Sequence, residues 1–438
     1  MRSLIKAALS TTLALCLYVP ASAQESGGSV LIRNARVFDG EQVIGVRDVL
    51  VRDGRIASMA ADIAAPQGTE VVDGTGKTLL PGLMDAHVHV FPTAAEDALR
   101  FGVTTEFDMF TLSEPATTAA RRAQRISFGR TDKADVWSAG LGVTLAGAHP
   151  TGLAKNMGVD LPTLPDDGDA AAFVIKQVEQ GSDYIKLFQD SSPREGKPRF
   201  PEYSHRQLRA IVDASHEAGR KVIVHVSQEK DASAVFALGA DALAHMFDDK
   251  PAGPDVVRLA RKRRATIIAT LSVLAGASGD PTSQTLTSDP AIKRFLSPAQ
   301  TGMIAQTFPR PRPAVLTNAL ESVRRFHAAG VRVLAGTDAP NPTTAHGPSI
   351  HAELELLVRA GMTPAQALAA ATSHVADFFG TSDRGRIAPG KRADLLLVDG
   401  DPVRDVTATR RISVIWKNGY PVDRAGMPGM PSTPGAKP

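Results

Sequence analysis

The sequence predicts an α/β chain: a (β/α)8 barrel of the TIM type joined to a small composite β-sandwich domain built from both chain ends. Three observations predict it. Apolar strand-like runs alternate with amphipathic helical stretches through the middle of the chain, eight such runs can be counted there, and short β pieces with turn signals occupy both flanks.

Residues 1–23 precede any packed element. Arg2 and Lys6 lead into an apolar run from Ala7 to Val19, and Ala21-Ser22-Ala23 follows as a small-x-small cleavage site. This reads as a secretory signal peptide, which makes the mature protein periplasmic or secreted. The run is shorter than the roughly 20 apolar residues of a spanning helix. Cys16 lies within it behind the bulky Leu15, where a lipoprotein signal would place a small residue, so lipid attachment is the lesser reading. Cys16 is also the single cysteine of the chain. The mature protein then has no disulfide and no thiolate, and His, Asp, Glu or a modified side chain would have to hold any transition metal.

Residues 24–80 carry VLIRNARVF, the Asp39-Gly40 turn, DVLVRDGRIASM and the turn at Asp73 to Lys77, the first part of the β-sandwich. The barrel is expected over 81–382, with strands in GLMDAHVHV, GVTTEFDM, ADVWSAG, YIKLF, KVIVHV, ADALAHM, TIIATL and VRVLAGTD. HRQLRAIVDASHEAG and SIHAELELLVRAG show helical spacing between them. Gly276 to Arg312 lacks periodicity and is rich in Ser, Thr and Pro, which predicts a long active-site loop or lid. The β texture returns over 383–425 in GRIAPGKRADLLLVDGDP and ISVIWKNGYPV, and the Pro- and Gly-rich tail 426–438 is expected to be disordered.

A hydrophobic fraction of 43% with 22% charged residues is that of a packed globular protein and argues against wholesale disorder. The net charge of +3 shrinks once Arg2 and Lys6 are removed, and no basic cluster is interleaved with aromatics, so a nucleic-acid partner is not expected. The expected partner is a small-molecule substrate, with no membrane after signal removal and self-association left open. Neither GxSxG nor a GxGxxG nucleotide signature is present, which argues against a serine hydrolase and a dinucleotide enzyme.

His87 and His89 close the first barrel strand two residues apart, so both imidazoles point the same way. His225 ends KVIVHV, His245 ends ADALAHM and Asp338 ends VRVLAGTD. Four histidines and a carboxylate at one end of a barrel suit Zn2+ or a similar borderline metal; the bland alternative is five unrelated polar caps. Lys186 in SDYIKLF stands apart, because an ammonium in an apolar strand is costly unless paired or neutralised.

H-x-H on the first strand, Lys on the fourth, His on the fifth and sixth and Asp on the eighth resemble the binuclear metal-dependent amidohydrolase superfamily. The DG turns, GTGKTLLPGLMDAHVHV, GMTPAQALAAAT and GRIAPGKRADLLLVDGDP are similar to its imidazolonepropionase-like and prolidase-like branch. The resemblance implies two divalent ions, one held by His87, His89 and Asp338 and the other by His225 and His245. An N6-carboxylated Lys186 and a hydroxide lie between them, and Asp338 serves as general acid/base. It also places His149, in TLAGAHP, against the substrate carbonyl oxygen. Val226-Ser227 departs from the branch, where several prolidase-like relatives carry a tyrosine that recognises the substrate carboxylate, so peptidase specificity is not implied.

The reaction expected is hydrolysis of amide, peptide-like or cyclic amide C–N bonds. A lactonase, esterase or phosphotriesterase could use the same ligands, a mononuclear deaminase has no need of Lys186, and a non-catalytic binding protein would usually have lost ligands. The remaining histidines, His205, His216, His327, His346, His351 and His374, are read as structural, with His346 and His351 near the pocket.

Overall fold

Where apolar residues come in short alternating runs the chain makes a mixed sheet, and where they come in continuous runs between helices it makes parallel strands. The computed structural model describes residues 29–428 apart from 112–114, 157, 159, 167 and 194–197. The expected signal peptide with Cys16, and residues 429–438 of the expected tail, lie outside the described residues.

The chain opens with β1 (Val30–Phe38), β2 (Val43–Arg52), β3 (Arg55–Ala60), β4 (Glu70–Asp73) and β5 (Lys77–Pro81). Next come β6 (Leu83–Val88), β7 (Val103–Asp108), β8 (Asp135–Ser138), β9 (Ile185–Phe188), β10 (Val222–His225), β11 (Ala242–Ala244), β12 (Thr266–Ile268) and β13 (Arg332–Leu334). The last three strands are β14 (Leu395–Asp399), β15 (Ile412–Lys417) and β16 (Tyr420–Pro421). Each of the eight strand-like runs read from the middle of the sequence contains one of β6 to β13.

The flanking strands hydrogen-bond into one continuous sheet in the order β16-β15-β14-β5-β1-β2-β3, with β4 beside β1. The two ends meet where β5 and β14 run antiparallel with Leu80 opposite Leu396. Asp53-Gly54 and Asn418-Gly419 turn the hairpins, each residue at positive φ, as a two-residue type I′ turn requires. Val30, Ile32, Val49, Leu79, Leu395 and Trp416 form the buried cluster of this sheet.

The middle strands are parallel in two sheets, β6-β7-β8 and β9 to β13 in sequence order. Backbone hydrogen bonds cross both seams between them. At one seam Asp183 N donates to Ser138 O (2.8 Å) and Val143 N to Lys186 O (2.8 Å). At the other, Ala86 N donates to Ala335 O (3.0 Å) and Asp338 N to His87 O (2.8 Å). Helices connect the strands; Ser204 and Gln207 form a capping box at the start of His205–Glu217.

The stretch from Gly276 to Arg312 corrects the expectation of a long loop. It holds a 3-10 turn (Gln284–Thr287) and two short helices, Pro290–Lys293 and Pro298–Ala305. Asp289 caps the first, and Ser297 with Gln300 forms a capping box on the second. Ser297, Pro290 and Pro298, which looked like loop composition, are helix-start residues, as is Asp289. Leu286, Ile292, Leu296 and Ile304 pack against Phe101 and Ala352.

Buried charges join the flanking sheet to the parallel strands. Lys417 Nζ lies 2.8 Å from Asp135 Oδ2 and 2.9 Å from Asp394 Oδ2, and Arg384 also pairs with Asp135. No helix among the described residues is long and apolar enough to cross a membrane.

Candidate functional site

The residues singled out by the sequence come together at the C-terminal ends of the parallel strands. His87 lies on β6 with His89 one residue past it, Lys186 on β9 and His225 at the end of β10, while His245 and Asp338 follow β11 and β13. His245 (φ 75°) and Asp338 (φ 58°) adopt left-handed backbone, a conformation non-glycine residues visit mostly where something holds them.

Asp338 is the hub. Its Oδ1 lies 2.9 Å from His89 Nε2 and 3.2 Å from His87 Nε2, and its Oδ2 is 3.7 Å from His245 Nδ1. His87, His245 and Asp338 each offer a ligand atom within 4.8 Å of the other two. The rings of His87 and His245 are 4.4 Å apart and those of His225 and His245 5.0 Å. His149 stacks on His225 at 4.6 Å with its ring tilted by 20°. Lys186 is completely buried, its Nζ 5.3 Å from the centre of the Phe188 ring. All seven candidates therefore belong to one cluster.

Electrostatics favour the form of each side chain that binds a cation. Burial pushes His87 and His225 well below the usual histidine range, His245 to about 3 and His149 to about 4, so all four rings are neutral at pH 7. Burial alone would raise Asp338, but His245 and His87 outweigh it and hold the carboxyl well below its ordinary range. Burial lowers Lys186 to about 7, with Asp338 and Asp108 opposing the drop.

The donors also fit a metal by what they lack. Both ring nitrogens of His87 are buried without a hydrogen-bond partner. His89 Nδ1 is 3.2 Å from Phe110 O, to which it donates. Its other nitrogen, Nε2, is left facing Asp338 Oδ1 at 2.9 Å.

Several residues that hold the site were not singled out in the sequence. Asp85, buried on β6, accepts from His87 N (3.1 Å), Thr337 N (3.0 Å) and Thr337 Oγ1 (2.6 Å), tying β6 to the turn that carries Asp338; burial lifts it to about 7. Glu106 on β7 lies 2.7 Å from His346 Nδ1, whose other nitrogen is 3.1 Å from His89 O. The signal was available: an acid inside PGLMDAHVHV or GVTTEFDM costs as much to bury as Lys186 does. His346 is at the pocket as expected. His351 is not, because its ring is taken up by Thr409 Oγ1 (2.9 Å) and Phe101 O (3.1 Å).

Over 251 residues the chain is 25% identical to ochratoxinase from Aspergillus niger, covering 56% of this chain and 47% of the relative. It is 31% identical over 166 residues to dihydroorotase from Mycobacterium tuberculosis, covering 37% of this chain and 35% of that one. The chain thus spans about half the length, or less, of the curated relatives it matches. Among solved structures, a Xaa-Pro dipeptidase with bound methionine superposes with a TM-score of 0.70 at 21% identity, over 90% of this chain and 99% of that one, a likeness of fold. The family model described as "Amidohydrolase family" matches residues 78–422, which takes in every strand from β6 to β15. The chain belongs to the amidohydrolase family.

Proposed function

We propose that the protein is a metal-dependent hydrolase that cleaves amide or peptide-like C–N bonds, cyclic amides included, in small molecules. The site lies at the strand ends of a closed (β/α)8 barrel spanning 81–382, where enzymes of that architecture work. Hydrogen bonds at both seams support the closure. Strands β1 to β5 and β14 to β16 make up the accompanying β domain from both chain ends, joined as one continuous sheet, and residues 1–23 direct export.

The observation that carries this reading is the meeting of four neutral imidazoles and an unpaired buried lysine around one ionised carboxylate. On the family resemblance His87, His89 and Asp338 would hold one divalent ion and His225 and His245 a second, and N6-carboxylated Lys186 would serve as a further ligand. Zinc suits these donors. The neutral amine of Lys186 is the form that adds to CO2, giving a carbamate and releasing one proton. Bound ions supply a hydroxide at neutral pH and polarise the scissile carbonyl. Asp338, ionised beside His89, would take up the proton of the attacking hydroxide as the tetrahedral intermediate forms and return it to the leaving nitrogen, which must be protonated to depart. His149, neutral and stacked on His225, donates a ring N–H to the developing oxyanion.

Elemental analysis of protein grown with zinc, followed by assays on N-acyl amino acids, dipeptides, aryl amides, lactams, lactones and phosphotriesters, tests the proposal. The names of the relatives add ochratoxin and dihydroorotate to that panel. Two ions per chain with turnover confined to C–N substrates is the expected result. Less than about one ion per chain, or turnover of lactones or phosphotriesters alone, would sink it.

A further inference from the structure

Helix Leu271–Ser278 begins in an unusual way. Thr270 stands at its N-cap, where a threonine hydroxyl ordinarily accepts from a backbone N–H of the first turn. Here it caps nothing. Its backbone is left-handed (φ 45°), costly for a β-branched residue, and its Oγ1 is turned away to His245 Nδ1 at 2.9 Å. The helix N–H groups are met by a side chain from elsewhere. Glu353, completely buried on helix Ser349–Arg359, accepts from Leu271 N through Oε1 (3.0 Å) and from Ser272 N through Oε2 (2.7 Å). Burial pushes the Glu353 carboxyl up to about 8, with the hydrogen bonds from Leu271 and Ser272 opposing the rise, so it caps the helix through its geometry as an acceptor and not through a full negative charge. Ser272 continues the contact towards Asp338, donating through Oγ to Thr337 O at 3.3 Å.

We infer that Glu353 and Thr270 are positioning residues for His245: the side-chain oxygens of Glu353 take over the capping role, which frees the threonine hydroxyl to fix the imidazole and so to set the affinity for one of the two ions. With Nδ1 engaged by the hydroxyl, Nε2 is the atom left to coordinate. Partners of this kind behind a histidine ligand typically change metal affinity by about 10- to 100-fold. If Glu353 no longer caps the helix, the Thr270 hydroxyl is drawn back to the free N–H groups and His245 loses its brace. The inference rests on the reading of His245 as a metal ligand.

Full-length wild type, Thr270→Val, Thr270→Ser and Glu353→Gln, with zinc as the probe, are compared by chelator competition and by thermal melting. Thr270→Val is expected to weaken one of the two zinc ions about 10- to 100-fold and leave the other unchanged, while Thr270→Ser, which keeps the hydroxyl, stays near wild type. Glu353→Gln is expected to weaken the same ion, and the double variant Thr270→Val/Glu353→Gln to bind no worse than Thr270→Val alone. Two ions held as tightly by Thr270→Val as by wild type would overturn the inference, as would equal losses in the Val and Ser variants. Should Glu353→Gln fail to fold, the Val–Ser pair still decides the matter. Wild type that binds no zinc would instead overturn the proposed function itself, so the two failures are distinct.

Discussion

Lys186 and Lys417 are both completely buried, yet they sit in opposite surroundings. Lys417 has two carboxylates within 2.9 Å, those of Asp135 and Asp394, and the Asn418 side chain at 3.3 Å. Lys186 makes no ion pair among the described residues; its neighbours are neutral imidazoles, a phenylalanine ring and Asp338, which is shared with three histidines. Burial alone therefore does not mark a lysine as functional. The partner set does: a paired buried lysine holds two parts of the chain together, and an unpaired one is left in a form that can react.

The comparison is most sharply tested at Lys186. Lys186→Ala is expected to drop turnover to background and to lose metal in the same step, while the melting temperature of the metal-free protein is held or raised, because a desolvated amine has been removed. Full turnover without Lys186 would break the contrast. Lys417→Met should do the reverse, costing about 3–5 kcal/mol in urea unfolding by leaving Asp394 without its cation and Asp135 with Arg384 alone, with kcat per folded molecule unchanged. A loss of kcat at constant stability would mean the two lysines had been assigned the wrong way round.

Within the site, His149→Gln should lower kcat by about 100-fold, roughly 3 kcal/mol, with little change in KM or stability, since an oxyanion donor acts mainly in the transition state. An effect on KM alone would recast His149 as a binding residue. The smallest effect is in acid. Burial raises the Asp135 carboxyl, but Lys417 and Arg384 outweigh it and bring it down to about 2. Its folded value is thus below its unfolded value of about 3.9, so its contribution is complete above about pH 4 and is lost as the pH falls towards about 2. Acid unfolding curves of wild type and Asp135→Asn should accordingly converge over that window and stay apart above it. Convergence near neutral pH would place the pairing elsewhere.

Much of the fold and of the candidate site was legible because it depends on short-range pattern. Apolar runs bounded by turns located β6 to β13, whereas the DG and NG dipeptides that turn two hairpins, Asp53-Gly54 and Asn418-Gly419, lay inside runs read only as β texture. His87 and His89 were readable as a pair, since side chains two apart share a strand face. The helices inside 276–312 were misread because Ser, Asp and Pro serve both as loop residues and as helix caps, and only the packing of Leu286, Ile292 and Ile304 separates the two uses. His351 was misplaced for a related reason: helical spacing says which residues share a face, not what that face meets.

By itself, then, the sequence determined the strand-end residues and their chemical types, because these are properties of single segments. Only the tertiary structure decided which acid serves which base. Asp85 and Thr337 are 252 residues apart, Glu106 and His346 are 240, and Glu353 reaches back 82 to the N–H of Leu271. Partnerships across such distances are fixed by how parallel strands and their helices close upon one another, and local periodicity carries no record of that closure.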